Sequence, residues 1–568
     1  MKSNLTYQIK SLFYTKSSAL KKIIFNPDKD IHGQIKYAAD NTGYVVFISV
    51  CNKEERAAVF HSSGKTLEDA WENANEKARK FVNEHKYLAY WIKADIVNAI
   101  RTVKSDEVKK IIQPAQANYL REGIAFDNMF NCAFLEGEVN SCKLINYEAD
   151  VININNVNLY LKRNKSRLNF TEIPTHLFFF TTIGFMCDED NQTYELHSEK
   201  ADYGRRKIEV IDDGVVSEVL KNAANFLAKC VQEDGKFIYG NFPPFDRTIN
   251  NYNILRHTGA TWELINQYAM TKENSLVDCI DKLIGYLTEN IEFPEPDVAF
   301  VIDKKSNEVK LGGIAIAVLA IVSYMEAFQS DKYIKLAHQL GNGIFKLMDI
   351  NAGTFYHVLN YPDYSKKQEF KIVFYEGEAV YALARLYGFT KEQKYLDAAA
   401  AAVKNFIKKD YIKYKDHWVA YAVNEVTKYS PEEEFFTFGL KNAQVNLKRI
   451  YEAETSYHIF MELLMASFEM YDRIIENHGD LKYLSEFNDK LFIETIFHRA
   501  DYMLNGYFYP EFAMYMKNPL FVLNTFFVRH ESFRIRIDDV QHFMGGYHMY
   551  IKNYDKLLKY KEAFGIDI

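Results

Sequence analysis

Gly312-Gly-Ile-Ala-Ile-Ala-Val-Leu-Ala-Ile-Val-Ser-Tyr-Met325 is apolar all round a helix, whereas Tyr333-Ile-Lys-Leu-Ala-His-Gln-Leu-Gly-Asn-Gly-Ile-Phe-Lys-Leu347 is apolar on one stripe. A helix without a polar face must be buried on every side, while a striped one can face water. The two characters alternate through twelve helix-like segments from about Val215 onward. Striped segments begin near Val215, Ser275, Tyr333, Lys394, Pro431 and Leu491, and oily ones near His257, Gly313, Glu376, Trp418, Glu452 and Asp538. Alternation of this kind predicts inner helices wrapped by outer ones.

The links repeat as well. Tyr268-Ala-Met-Thr-Lys-Glu-Asn-Ser-Leu, Glu326-Ala-Phe-Gln-Ser-Asp-Lys-Tyr-Ile and Tyr387-Gly-Phe-Thr-Lys-Glu-Gln-Lys-Tyr-Leu each set a Ser or Thr before an acid and a new apolar stripe, as a helix start requires. The opposite links are longer and recur with Gly-x-Phe, as Gly235-Lys-Phe and Gly353-Thr-Phe. Such regularity marks a repeat architecture. Six pairs with long loops on one side favour a closed ring over an open α-solenoid.

On these links and the helix count, residues 205 to 568 resemble the (α/α)6 toroid, or six-hairpin glycosidase-like, superfamily, which includes N-acylglucosamine 2-epimerases, unsaturated glucuronyl hydrolases and polysaccharide-lyase domains. The expected fold is mainly α: an (α/α)6 toroid over 206–568, the catalytic part, preceded by a smaller α+β domain over 1–205. In that domain Gly43-Tyr-Val-Val-Phe-Ile-Ser-Val and Arg56-Ala-Ala-Val-Phe-His read as strands, as do Val151-Ile-Asn-Ile, Asn158-Leu-Tyr-Leu and His176-Leu-Phe-Phe-Phe-Thr-Thr-Ile. Thr66-Leu-Glu-Asp starts a helix with apolar positions Leu67, Ala70, Trp71, Ala74, Ala78 and Phe81. No chemical motif stands out there.

Composition fits a soluble globular protein, 48% apolar and 26% charged. A net charge of -7 argues against a nucleic-acid partner. The opening Met1-Lys-Ser-Asn-Leu-Thr-Tyr-Gln-Ile-Lys lacks a signal peptide's apolar core, and the run from Gly312 to Tyr324 is shorter than a membrane span. Six cysteines without a C-x-x-C pair read as reduced core residues. A cytoplasmic location is expected. The 40 Tyr and 42 Phe suit core packing first and sugar stacking second.

The resemblance places the substrate cleft where the inner helices begin. Those first turns carry Arg256-His257, Gly312-Gly313, Tyr375-Glu376-Gly-Glu378, His417-Trp418, Tyr451-Glu452-Ala-Glu454 and Asp538-Asp539-Val-Gln541-His542. Acids are favoured in any first turn, where they offset the helix dipole, so each alone reads first as a cap, Glu452 and Asp538 above all. Glu378 and Glu454 lie further into oily surroundings, where a carboxylate needs a partner or a task. The expected catalytic groups are His257, Glu376, Glu378, Glu454, Asp539 and His542. Arg256, Tyr375, Trp418, His357 and Gln541 are expected to bind substrate, Arg256 by capturing an anion. His458 reads equally as core or site. A metal reading of Asp538, Asp539 and His542 lacks a ligand-spaced partner, so no metal or cofactor is expected.

Three functions fit. Glu376 or Glu378 with Glu454 or Asp539 could form the carboxyl pair of a glycoside hydrolase acting on an acidic or amino-sugar glycan. A histidine pair, His257 and His542, could move protons in a sugar epimerase or polysaccharide lyase. A non-catalytic ring could bind a glycan or a partner in polysaccharide biosynthesis. Hydrolysis stands narrowly first, on an anionic carbohydrate, with no membrane span; the pattern specifies no oligomeric state. There is no phosphate-binding P-loop, no G-x-S-x-G elbow and no H-E-x-x-H.

Overall fold

The computed structural model of the protein describes residues 2–37 and 43–566, so Met1 and the last two positions of the expected second domain lie outside the described residues. The chain divides into two compact units. The first comprises Met1–Glu209, Asn241–Arg247 and Asn505–Arg534, and the second Val210–Gly240, Thr248–Leu504 and Ile535–Ile568. The sequence reading placed one cut near residue 205; the first unit also takes in two segments from beyond it.

The first unit is built on an antiparallel sheet. Its strands are β1 (Tyr44–Cys51), β2 (Ala58–Gly64), β3 (Trp91–Lys104), β4 (Gly123–Ala125), β5 (Ala133–Phe134), β6 (His176–Cys187) and β7 (Thr193–Glu195). They run in the order β2-β1-β3-β6-β4-β5, with β7 paired to β6. The helix Leu67–His85 covers one face through Leu67, Ala70, Trp71, Ala74 and Ala78, and it begins in the expected capping box, Thr66 with Asp69. Asn158-Leu-Tyr-Leu is no strand: it lies in the helix Ile154–Arg163, opened by Asn153 accepting from Asn156 N. There the side-chain cap and a helical apolar stripe override the strand propensity. The segment Asn505–Arg534 is tied in by polar contacts: Glu511 accepts from Arg206 Nε at 2.9 Å and Nη2 at 2.7 Å, and Glu136 accepts from Arg529 Nη1 at 3.0 Å.

The second unit is helical. In order it holds α1 (Asp213–Lys229), α2 (Ile254–Thr271), α3 (Val277–Thr288), α4 (Leu311–Phe328), α5 (Ile334–Lys346), α6 (Phe374–Thr390) and α7 (Gln393–Lys408). There follow α8 (His417–Val426), α9 (Glu433–Tyr451), α10 (Ile459–Asn477), α11 (Asp489–Tyr502), α12 (Ile537–Lys552) and α13 (Tyr554–Ala563). The even-numbered helices form a closed ring: α2 packs on α4, α4 on α6, α6 on α8, α8 on α10, α10 on α12, and α12 back on α2. The odd-numbered helices α1 to α11 lie against them from outside, and α13, not anticipated from sequence, packs on α11. The alternation of oily and striped segments is thus an inner and an outer layer.

Helix α4 shows why. Sixteen of its eighteen residues are buried. It is long and apolar enough to cross a membrane, longer than the run seen in sequence, yet 89% of it is buried within the protein. The three similar links end their helices identically, with Lys272, Gln329 and Lys391 left-handed at the C-cap. Thr271, Ser330 and Thr390 then accept from the backbone N–H two residues on. The fifth inner helix departs from expectation. α9 runs to Tyr451, Glu452 is its C-cap, and α10 starts only at Ile459.

Candidate active site

Late onset of α10 reorganises the first turns. His458 stands at its N-cap and Glu462 in its first turn, while Glu454 is left exposed in the preceding link. Glu462 is fully buried, so its carboxylate must find partners. His542 Nδ1–H of α12 donates to Glu462 Oε2 at 2.8 Å, and the Tyr421 hydroxyl of α8 donates to Oε1 at 3.2 Å. The His542 ring stacks on His458 at 5.0 Å between centroids and meets His417 edge-on at 5.4 Å. Three inner helices therefore bring three histidines around one carboxylate.

Acids and arginines complete the surroundings. Asp416 caps α8 by accepting from Trp418 N at 2.9 Å. His458 Nε2 lies 3.4 Å from Asp539 Oδ1. Arg536 Nη2 donates to Asp538 at 2.8 Å, and Arg256 Nε lies 2.9 Å from the same carboxylate. Arg256 also donates to the Tyr239 hydroxyl at 2.9 Å. Asp538, expected to be a mere cap, neutralises the arginine expected to capture substrate.

These contacts separate the three imidazoles. Burial opposes a charge on His542, but Glu462, by charge and hydrogen bond, and then Asp538 and Asp539 outweigh it and hold its pKa above the ordinary range. Burial, then the charges of His542 and His458, press His417 well below it. Burial also lowers His458, against the pull of Asp539. Groups whose surroundings drive their affinities for protons apart are suited to be an acid and a base, and His542 and His417 are driven apart in this way. Two carboxyls are pushed up to about 8, Glu378 by burial and the charge of Asp416, and Asp416 by burial and the charge of Glu376.

Among the described residues, several buried polar atoms here have no hydrogen-bond partner: both ring nitrogens of His417, Nδ1 of His458, Oε2 of Glu378 and Oδ2 of Asp416. Unsatisfied buried groups cost about 1–3 kcal/mol each and persist where a ligand or reaction uses them. His417, Glu462 and His542 also bring one ligand atom each within 4.8 Å of the others. Such a set can hold a divalent metal, but only by displacing the proton that joins His542 to Glu462.

The other expected residues fall elsewhere. His257 is fully buried away from this cluster, with Nδ1 2.7 Å from the Tyr252 hydroxyl and Nε2 3.1 Å from Leu283 O of outer helix α3. Burial lowers its pKa to about 4. Glu376 is held by the Tyr411 hydroxyl and by His357, whose Nε2 lies 3.3 Å from Oε1. The Lys371 N–H donates to His357 Nδ1 at 3.0 Å, which leaves Nε2 to donate to Glu376. His357 is wholly buried. Tyr375 is buried beside Gly312. Gln541 Nε2 lies 3.4 Å from His542, and Trp418 stands edge-on to His542 at 6.3 Å. Of the expected set, Asp539, His542, Gln541, Trp418, Glu378, whose carboxyl feels Asp416 and His542, and, through Asp538, Arg256 come together. His417, His458, Glu462 and Asp416 complete the site. The spacing His458-x-x-x-Glu462 signals one helix face, but placing the helix start at Glu452 hid it.

No protein-family model matches the chain, and no curated protein is similar to it in sequence. Solved structures similar to it are a D-mannose isomerase (TM-score 0.46, 12% identity, 61% of this chain and 100% of that one) and a cellobiose 2-epimerase from Bacillus thermoamylovorans B4167 (0.48, 12%, 60% and 99%). A GH76 α-mannanase from Bacteroides thetaiotaomicron is similar at TM-score 0.42 and 12% identity, over 61% of this chain and 100% of that one. All three are (α/α)6 toroid enzymes.

Proposed function

We propose that the protein is a carbohydrate-processing enzyme that moves a proton on a sugar, as an epimerase or isomerase does. The observation that carries this reading is the pairing of His542 with His417, 5.4 Å apart and shifted in opposite directions. His417 takes the proton from the carbon beside the sugar carbonyl. His542, charged and steadied by Glu462, donates a hydrogen bond or proton to the carbonyl oxygen as the enediol forms. Return of the proton to the other face of that carbon gives an epimer, and to the neighbouring carbon an isomer. The sugar class rests on the sequence resemblance and on the aromatic side chains beside the histidines, such as Trp418 and Tyr421.

Hydrolysis is the second reading because, of its carboxyl pairs, only Glu378 with Asp539 stays near the histidines, and Asp539 lies against His458 and Arg536. Glu376 is engaged by Tyr411 and His357, and Glu454 is exposed in a link. An anionic substrate also loses its support, since Arg256 is paired with Asp538. The six free cysteines suit a reducing compartment such as the cytoplasm. The test is incubation of neutral aldoses and disaccharides in D2O. Deuterium appearing at the carbon beside the carbonyl, and falling roughly 100-fold or more in His417→Asn and His542→Asn, is expected. Release of new reducing ends without deuterium uptake would return hydrolysis to first place.

A further inference from the structure

The inner helices enclose a second feature toward their C-terminal halves. It is a cavity of about 520 Å³ to which all six contribute, within the range of about 300–1,000 Å³ typical of small-molecule sites. One wall is aromatic. Trp262 is fixed by its Nε1–H donating to Ser323 Oγ at 3.0 Å, and Tyr381 lies 6.3 Å from it and stacks on Tyr421 at 5.1 Å. Among the described residues the Tyr381 hydroxyl has no hydrogen-bond partner. Tyr421 reaches the active-site cluster directly, since its hydroxyl donates to Glu462. The half-exposed Met270 stands at the solvent side.

The charges lining the cavity cancel locally. Glu425 pairs with Lys428 at 2.6 Å and lies 3.9 Å from Arg385, which also pairs with Glu326. Glu469 pairs with Lys552 at 3.0 Å and accepts from Asn424 at 2.9 Å. Glu263 is bound to His548. A charged ligand would have to break one of these pairs, at the cost of leaving a partly buried charge unpaired. A neutral polyol need not: it can lay a ring face on the indole and phenol and hydrogen-bond to the outward edges of the ion pairs.

We propose that this cavity binds a neutral sugar ring, stacked on Trp262 and Tyr381, with Tyr421 standing between it and Glu462. The proposal rests on the carbohydrate reading above, but binding tests it independently of turnover. The experiment is isothermal titration of D-mannose, cellobiose and D-glucuronate into the full-length wild type and the variants Trp262→Leu, Met270→Trp, Lys552→Met and His542→Asn. Binding of a neutral sugar in preference to glucuronate is expected. Weakening of about tenfold or more is expected in Trp262→Leu, for loss of the aromatic platform, and in Met270→Trp, which fills the cavity from a half-exposed position and so spares the fold. Lys552→Met should keep the preference for the neutral sugar over glucuronate, and His542→Asn should lose deuterium exchange. Wild-type binding without turnover would keep the cavity assignment and remove the proton-transfer reading. Tighter binding of glucuronate lost in Lys552→Met, no binding of any of the three sugars, or undiminished binding in both cavity variants would overturn the assignment.

Discussion

His542 Nδ1 lies 2.8 Å from Glu462 Oε2, joining helices eighty positions apart in the chain through one buried hydrogen bond. In the proposed proton transfer this contact sets the direction of flow, because Glu462 raises the pKa of His542 while burial and the charges of His542 and His458 lower that of His417. The first prediction concerns pH. His542 titrates above the ordinary histidine value, so the stability it gains from Glu462 is present below its unfolded pKa and lost as pH rises through the folded one. Turnover should therefore hold across mildly acidic and neutral pH and fall on the alkaline side. In Glu462→Gln the alkaline limb should move to lower pH, together with the NMR titration of the His542 ring. An unmoved limb would mean that another group is the acid.

Glu378 and Asp416 supply the second prediction. Both are held protonated to about pH 8, well above unfolded values near 4. The folded protein then binds more protons than the unfolded chain between those limits, so each carboxyl subtracts stability as pH climbs. Glu378→Gln keeps a neutral polar group and removes that slope. Its urea midpoint should match wild type near pH 5 and exceed it near pH 8. Parallel pH curves for the two proteins would show that Glu378 is not buried protonated.

The ring was legible because its signal is redundant: every oily segment, from Leu311–Phe328 to Ile537–Lys552, is separated from the next by a striped one, and burial allows few other solutions. The site was less legible because it depends on a single helix start. Glu452-Ala-Glu454 looks like a first turn, yet α9 consumes those residues as its C-cap and link, and the true start at Ile459 brings His458 and Glu462 inward. His257 misled for a related reason. It follows Arg256 in a first turn, but a one-residue step turns a helical side chain by about 100°, enough to face it outward against Leu283 of α3. Local spacing showed which helices are buried, not which face of each meets the axis.

A third prediction tests the repeat itself. Gly235 and Gly353, from the two Gly-x-Phe links, have φ of 77° and 64°. A Cβ on Gly235 would lie 2.5 Å from Lys282 O, and one on Gly353 would lie 2.3 Å from Ala401 O. Each glycine therefore lets a link press against an outer helix backbone, α3 in one repeat and α7 in the other. Gly235→Ala and Gly353→Ala should each destabilise by about 1–3 kcal/mol, through the left-handed backbone and the clash. Chemical denaturation checks this. Near-zero effects would mean that the links shift freely and that their likeness is incidental.

The last prediction sets two histidines against each other. His257 is satisfied on both nitrogens, by Tyr252 and by Leu283 O, so His257→Ala should cost about 1–3 kcal/mol for the partners it strands and the space it empties. Its deuterium exchange per folded molecule should be unchanged. His417 is the converse: it is 1% exposed, and among the described residues neither ring nitrogen has a hydrogen-bond partner. Replacing it by Leu removes two unsatisfied buried atoms, and His417→Leu should raise the urea midpoint while abolishing exchange. A group that costs the fold stability and is indispensable to turnover is held there for chemistry. If His417→Leu destabilises while exchange persists, His417 is a packing residue, and the base must be sought in His458, whose buried Nδ1 also has no hydrogen-bond partner among the described residues.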